Sequence, residues 1–206
     1  QKVEEELKKQ FSNVRVIRMD VDTTGWKGAH DELVERFRRR EADILLGTQM
    51  VAKGLDFPNV TLVGVISADT GIHMPDFRAA ERSFQLLTQV AGRSGRGTEP
   101  GEVVIQTRLP DDPVLKTAAK QDFLAFAERE LKERKEAGFP PFGRLLVLRW
   151  RGGEDSSVEM AARKGGNELI RYVDSNVSVL GPAPAPISRL RGTFRWQVLL
   201  RGPSAF

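Results

Sequence analysis

The sequence predicts an α/β protein, a mostly parallel sheet with helices on both faces, followed by a smaller α+β domain. Three observations carry that expectation. Ile44-Leu45-Leu46, Val60 to Ala68 and Val103 to Thr107 are apolar runs bounded by turn residues, the pattern of strands buried on both faces. Helical stretches of about ten or more residues fall between the strands, as in a doubly wound sheet. The last run, Phe194 to Arg201, alternates instead, which fits a sheet with one open face.

Taken in order, residues 1–11 read as an amphipathic helix with Val3, Leu7 and Phe11 spaced by four. Val14 to Met19 reads as a strand, and Asp20 to Gly25 is turn chemistry. Asp31 is placed to cap a helix running through Arg40, with Leu33, Val34 and Phe37 on its apolar face. After the second and third strands, Asp112 to Ala137 reads as two consecutive helices. Gly138 and Pro140-Pro141 close them, which sets the domain boundary, 1–137 against 138–206. Beyond it come a strand (Leu145 to Trp150), a helix (Ser156 to Val173), a strand (Val177 to Leu180), a proline-rich loop (Pro182 to Pro186) and the alternating last strand. On that strand Phe194, Trp196, Val198 and Leu200 share one face, with Trp196 and Phe194 expected in the core. Arg195, Gln197, Leu199 and Arg201 share the other. The chain stops at Phe206 with no closing element and reads as part of a longer protein.

Composition narrows the field. The chain has 206 residues, 40% hydrophobic and 29% charged, which suits an ordinary globular protein of one large or two modest domains. It has no cysteine, so disulfides and thiolate metal sites are excluded. No apolar run reaches the length of a membrane span and the first residues are charged, so the expected location is the cytoplasm. The net charge of +4 permits nucleic-acid binding without requiring it. The one dense basic cluster, Arg36, Arg38, Arg39 and Arg40, reads as a solvated helix face. His30 and His73 have no partners at ligand spacing, and no metal site is expected.

Two segments carry chemistry. In Gln89-Val-Ala-Gly-Arg93-Ser-Gly-Arg96, a helical repeat of about 100° per residue puts Gln89, Arg93 and Arg96 in one sector. Gly92 and Gly95 strip side chains from the turns between them, so a large anion could come close to the backbone. Two guanidiniums that keep their charge suit a phosphoryl group whose charge shifts during transfer. In Gly47-Thr48-Gln49-Met50-Val51-Ala52-Lys53-Gly54-Leu55-Asp56, the hydroxyl and amide after a buried strand suit a nucleic-acid phosphate. Gly54 allows close approach, and Asp56 is able to accept from ribose hydroxyls. Read alone, the first segment is also an exposed arginine-rich helix end, and the second a strand-end turn with an aspartate cap.

Together the two segments resemble motifs V and VI of the second RecA-like lobe of superfamily-2 helicases. The match tightens across Ile44 to Pro58, Ala68-Asp69, Pro75-Asp-Phe-Arg-Ala-Ala-Glu-Arg82 and Gln85 to Arg93. It continues through Gly138-Phe-Pro-Pro-Phe142 and Phe194-Arg-Trp-Gln-Val-Leu-Leu200. Over essentially the whole chain it is similar to the bacterial primosomal replication-restart helicases. The resemblance implies an ATP-dependent 3′→5′ DNA helicase acting at stalled forks. Arg96 would be the arginine finger, with Arg93 and Gln89 beside ATP. Gly54 and Asp56 would sit near the ribose, and Thr48, Gln49 and Lys53 near the DNA backbone. Ala68-Asp69 would link the nucleotide site to DNA. Arg78 and Arg82 would either join that link or form structural salt bridges with Asp76 or Glu81. The terminal domain would bind branched DNA and the single-stranded-DNA-binding protein, whose acidic tail Arg195, Gln197 and Arg201 could receive.

The sequence contains no Gly-x-x-x-x-Gly-Lys-Ser/Thr and no Asp-Glu-x-His. ATP and Mg2+ would therefore be held mainly by another lobe, and this chain alone is expected to be inactive. The family's Zn2+ module would also lie elsewhere. Expected partners are forked and single-stranded DNA, the single-stranded-DNA-binding protein, and primosome and helicase-loading proteins, around a bacterial monomer with no membrane attachment. The alternative is a catalytically inactive scaffold of the same family that binds fork DNA and docks partners.

Overall fold

The computed structural model describes residues 2–20, 28–48, 57, 59–92 and 101–203. They form helices α1 (Lys2–Gln10), α2 (Ala29–Arg38), α3 (Ala68–Ile72), α4 (Ala79–Ala91), α5 (Pro113–Ala119), α6 (Phe123–Ala137) and α7 (Asp155–Tyr172). The strands are β1 (Val16–Met19), β2 (Ile44–Gly47), β3 (Leu62–Val65), β4 (Glu102–Ile105), β5 (Arg144–Gly152), β6 (Ser178–Leu190) and β7 (Thr193–Gly202). The chain divides into two compact units. One comprises Gln1–Asp69 and Ser83–Gln121, the other Thr70–Arg82 and Asp122–Phe206. The residue 137/138 boundary read from the proline pair thus falls inside the second unit, because α6 groups with the strands that follow it.

In the first unit β1 pairs parallel with β2, and β3 parallel with β4. Parallel partners need a long crossover, and α2 supplies the first while α3 and α4 supply the second. Met19 and Val34 are buried together, with Leu33, Leu45 and Phe57 packed against them. Arg15 precedes β1 and Asp43 precedes β2. The Arg15 backbone N–H (2.9 Å), Nε (3.1 Å) and Nη2 (2.6 Å) all donate to the Asp43 carboxylate. That clamp sets the register in which Val16 faces Ile44. α1 buries none of its residues, and the stripe that predicts it leaves Val3 and Phe11 exposed.

In the second unit β5, β7 and β6 form an antiparallel sheet in that order, with α7 packed on one face. Gly166 of α7 lies where an added Cβ would come within 3.4 Å of Val198, and Gly165 gives way to the Trp150 ring. The two helices expected between Asp112 and Ala137 are α5 and α6, each opened by an aspartate. Asp112 accepts from the Val114 N–H at 2.7 Å with Pro113 at the first helical position, and Asp122 accepts from the Ala125 N–H at 3.0 Å. Gly138, at φ 65°, ends α6 with its N–H and that of Phe139 on the Lys135 and Arg134 carbonyls.

Several expectations are corrected. The Val60 to Ala68 strand shortens to β3, since Ala68 already opens α3. Asp31 caps nothing: α2 starts at Ala29 behind Gly28, whose φ of 92° turns the chain, and it ends at Arg38 rather than Arg40. The Pro182 to Pro186 loop lies within β6. An edge strand tolerates prolines because its outward side needs no ladder donors, and the pairing skips registers around them. Phe194 and Trp196 are half-buried rather than core. Trp196 Nε1 donates to Asp155 at 2.8 Å, and Phe194 lies under the Arg189 guanidinium at 4.8 Å.

Two predictions follow from this packing. An added Cβ at Gly143 collides with the Gly138 carbonyl and comes within 3.1 Å of the Gly202 carbonyl, whereas at Gly153 it meets nothing. Gly143→Ala should cost about 1–3 kcal/mol, and Gly153→Ala less than about 0.5 kcal/mol, compared by urea denaturation. Arg15, through its side chain and backbone N–H, holds the Asp43 carboxyl at about 2, below the ordinary 3.8. A depressed carboxylate stabilises the fold above its unfolded value, and that contribution disappears as pH falls through the folded one. Asp43→Asn should therefore lower the urea midpoint at pH 6, with the gap to the parent closing by pH 2.

Candidate functional site

In an open sheet of parallel strands, ligands gather beyond the carboxyl ends. Gly47 ends β2 there, and Thr48 follows it, exposed. Gln49, Lys53, Gly54 and Asp56 lie outside the described residues. The chain re-enters at Phe57, whose ring meets Phe37 edge-on at 5.0 Å beside the Met19–Val34 core. Of the two described residues that flank the predicted DNA- and ribose-contacting segment, Phe57 is packed and Thr48 is exposed. Sequence reasoning gave Phe57 no role, although an aromatic followed by Pro58 is a usable signal for a packed position.

β3 leads to a second strand end. The Ser67 N–H donates to the Gln106 side-chain oxygen at 3.1 Å, and the Ala68 N–H to the Gln106 carbonyl at 3.1 Å. Asp69 then accepts from Thr107 Oγ1 at 2.5 Å and from the Arg108 N–H at 2.9 Å. The carboxylate expected to link two sites is therefore fixed across the ends of β3 and β4 by neutral donors.

α4 carries the glutamine of the arginine motif. Ser83, Phe84, Leu87 and Val90 are buried along one side, and Gln89 in the last turn is exposed. Thr88 Oγ1 donates to the Phe84 carbonyl at 2.8 Å, and the Gly92 N–H to the Thr88 carbonyl at 3.0 Å. The helix is longer than the short one expected around 89–96, because the apolar positions 84, 87 and 90 extend it back to Ala79. Arg93 and Arg96 lie outside the described residues. Upstream of α4 and in its first turn, Arg82 pairs with Asp76 at 2.8 Å and Arg78 with Glu81 at 2.7 Å, so both arginines engage in structural salt bridges.

On β7 the expected alternation holds. Val198 and Leu200 are buried on the α7 side. On the open side Arg195 Nε donates to the Ile187 carbonyl at 2.9 Å, and Gln197 Oε1 accepts from Arg149 Nη2 at 3.1 Å. Arg201 Nη1 donates to the Ala137 carbonyl at 2.7 Å, and its guanidinium stands 6.0 Å from the Phe139 ring. Arg201 thus serves the carboxyl end of α6, where the helix dipole favours a cation. Register adds two residues that the sequence alone could not reach. Arg149 sits opposite Gln197, and Arg151 opposite Arg195. Among the described residues paired across this face there is no acidic side chain.

Residues 1–98 match the helicase conserved C-terminal domain, and residues 135–206 match the primosomal protein N C-terminal domain. The chain is 47% identical over 201 residues to the replication restart protein PriA of Bacillus subtilis, covering 98% of this chain and 25% of that protein. It is 46% identical over 204 residues to PriA of Synechocystis sp., covering 99% of this chain and 24% of that protein. Against PriA of Treponema pallidum it is 43% identical over 202 residues, covering 98% of this chain and 31% of that protein. The chain spans about a quarter of the length of the first two relatives. Two domain matches in tandem, on the two halves of one near-complete alignment, leave one assignment: the chain belongs to the PriA replication restart family, with a RecA-like helicase C-terminal lobe followed by the family's C-terminal domain.

Proposed function

We propose that the chain serves as the second motor lobe and C-terminal domain of an ATP-dependent 3′→5′ DNA helicase that recognises stalled forks and restarts replication by primosome assembly. The observation that carries this reading is the sequence run Gln89 to Arg96 within the matched helicase domain, with Gln89 exposed in the last turn of α4. Arg96 acts as the arginine finger, and Arg93 and Gln89 assist at the γ-phosphate. Gly54 and Asp56 meet the ribose, while Thr48, Gln49 and Lys53 hold backbone phosphates of the tracked strand. Another lobe supplies the phosphate loop and the Mg2+ ligands, so this chain by itself hydrolyses no ATP. Closure of the two lobes on ATP brings the arginines into place, and repeated closure ratchets one strand. Zn2+ finds no thiolate here, since the sequence has no cysteine, and any zinc module of the family belongs to other residues.

The C-terminal sheet takes branched DNA and the acidic tail of the single-stranded-DNA-binding protein. Its open face supports this, with Arg149, Arg151, Arg195 and Gln197 aligned in register. Arg201 donates to the Ala137 carbonyl and Arg195 to the Ile187 carbonyl, so each offers an anion its remaining N–H groups. The protein works as a monomer in the bacterial cytoplasm together with helicase-loading proteins. Among the described residues no helix is long and apolar enough to cross a membrane.

Two measurements test the reading. In the intact protein Arg96→Ala should lower DNA-stimulated ATP turnover by roughly 10³-fold or more, with forked-DNA binding by anisotropy largely kept. Normal turnover in that variant refutes the assignment. Arg195→Ala should weaken binding of an acidic C-terminal peptide about tenfold, the loss of one charge-assisted hydrogen bond, read by titration calorimetry. Unchanged affinity removes this face from partner binding.

A further inference from the structure

From Ser175 to Phe206 the sequence contains four arginines and no lysine, aspartate or glutamate, so this stretch holds as much net charge as the whole chain, +4. Arg201 stands near the far end of β7, but Arg189, Arg191 and Arg195 gather where β6 turns into β7. Leu190 faces Thr193 there, and the two residues between them have φ of 49° (Arg191) and 78° (Gly192). A two-residue hairpin turn of this kind needs positive φ at both central positions and favours asparagine, aspartate or glycine at the first. Arginine occupies that place instead. A long cation is thus held at the apex, in a backbone conformation that its own side chain disfavours.

Alternation along the strands divides the other two arginines. Arg189 faces Phe194 across the hairpin, with its guanidinium 4.8 Å from that ring, on the face that Phe194 shares with Val198 and Leu200. Arg195 lies on the opposite face, with Arg151 across from it. β5 ends at Gly152, the partner of Phe194, so the tip goes on as two strands alone. It therefore presents arginines from both faces and from the apex. None of the three has a carboxylate partner among the described residues. Glu154 and Asp155, which follow β5, are engaged by Ser156 and Ser157 and by Trp196.

This placement separates the anions that such charge attracts. An acidic peptide laid along the open face meets Arg195 and Arg151 but misses Arg189 on the other side. Single-stranded nucleic acid is held by stacking on open aromatic rings, and Phe194 is already covered by Arg189. A duplex carries phosphate rows on both sides of each groove, and the major groove, about 12 Å wide, admits a two-stranded ribbon. We propose that the β6–β7 hairpin is a binding site for duplex DNA, with Arg189, Arg191 and Arg195 on phosphates of both strands. Such contacts position a duplex without reading its sequence. The proposal rests on the reading that the C-terminal unit takes DNA and names the part of it that does so.

The test measures binding of the intact protein to a blunt duplex by fluorescence anisotropy over a series of salt concentrations, beside binding of an acidic peptide. Arg191→Asn removes the charge and suits the positive φ of the turn. Arg191→Lys keeps the charge, and Arg38→Gln removes one charge from the basic cluster on α2. Each phosphate contact contributes about 0.9 to the slope of log affinity against log salt. Arg191→Asn should therefore flatten that slope by about 1 and weaken duplex binding about five- to tenfold at about 0.1 M salt, whatever the duplex sequence. Arg191→Lys and Arg38→Gln should stay within about twofold of the parent, as should the affinity of Arg191→Asn for the peptide. Unchanged slope and affinity in Arg191→Asn overturn the proposal. So does an equal loss in Arg38→Gln, which marks net charge alone, or in Arg191→Lys, which marks the turn itself. A peptide loss as large as the duplex loss marks a site for an acidic partner and overturns it too. A parent that binds no blunt duplex removes the DNA reading of the C-terminal unit together with the proposal. A parent that binds duplex no better than Arg191→Asn removes only the hairpin's part.

Discussion

Parallel pairing governs where chemistry can sit in the first unit. β1 with β2 and β3 with β4 run the same way, and strands so arranged cannot be joined by a tight turn. Each pair therefore requires a crossover, and α2 and then α3 with α4 fill that need. Parallel strands also release the chain at their carboxyl ends, which places Thr48 after β2 and Asp69 just beyond β3. The segment from Gln89 to Arg96 belongs to the second crossover. Ser83, Phe84, Leu87 and Val90 are buried on helix α4, so the glutamine rides on a packed element.

The charged side chains divide by burial. Pairs such as Arg36 with Glu41 and Arg38 with Glu35 have partners that are about half exposed, and such pairs contribute about 0–1 kcal/mol each. They account for two arginines of the basic cluster on α2, which matches a solvated face. The cluster of Arg134 with Glu81 and Glu130 belongs to the other regime, the Arg134 and Glu130 side chains being only 13% and 10% exposed. Removing one partner there leaves a poorly solvated charge, a larger penalty than the pair's own contribution. Arg78 and Arg134 hold the Glu81 carboxyl at about 2, so the cluster remains ionised throughout the neutral range.

How much of this was legible follows from the distance over which each feature is encoded. β1, β2, α5 and α6 rest on local patterns, apolar runs and Asp-Pro or Asp caps, and the sequence shows them directly. The body of α4 is encoded in its apolar spacing at 84, 87 and 90, which lies upstream of the Gln89 to Arg96 run. β6 was hidden because prolines argue against a strand unless it lies at an edge, and edge position is a property of the whole sheet. The Arg134–Glu81 bond spans 53 positions and the Arg201–Ala137 bond 64, so neither has a local signature. Arg201 illustrates the consequence. Alternation correctly gave its face but could not show that a helix carbonyl already occupied it.

Register on the C-terminal sheet gives an argument that composition could not. The net charge of +4 is too small to identify a binding surface by itself. Yet Arg151 lies directly opposite Arg195, with Arg149 opposite Gln197 one pair further along that face. Like charges opposed across antiparallel strands destabilise a sheet, typically by some tenths of a kcal/mol. Among the described residues none that pairs across this face is acidic, and the neutral oxygens of Ile187 and Gln197 are what Arg195 and Arg149 donate to instead. Stability alone would not favour such an arrangement, whereas an anionic ligand turns the same repulsion into attraction. The proposal of an anionic partner therefore rests on this opposed pair rather than on the count of basic residues.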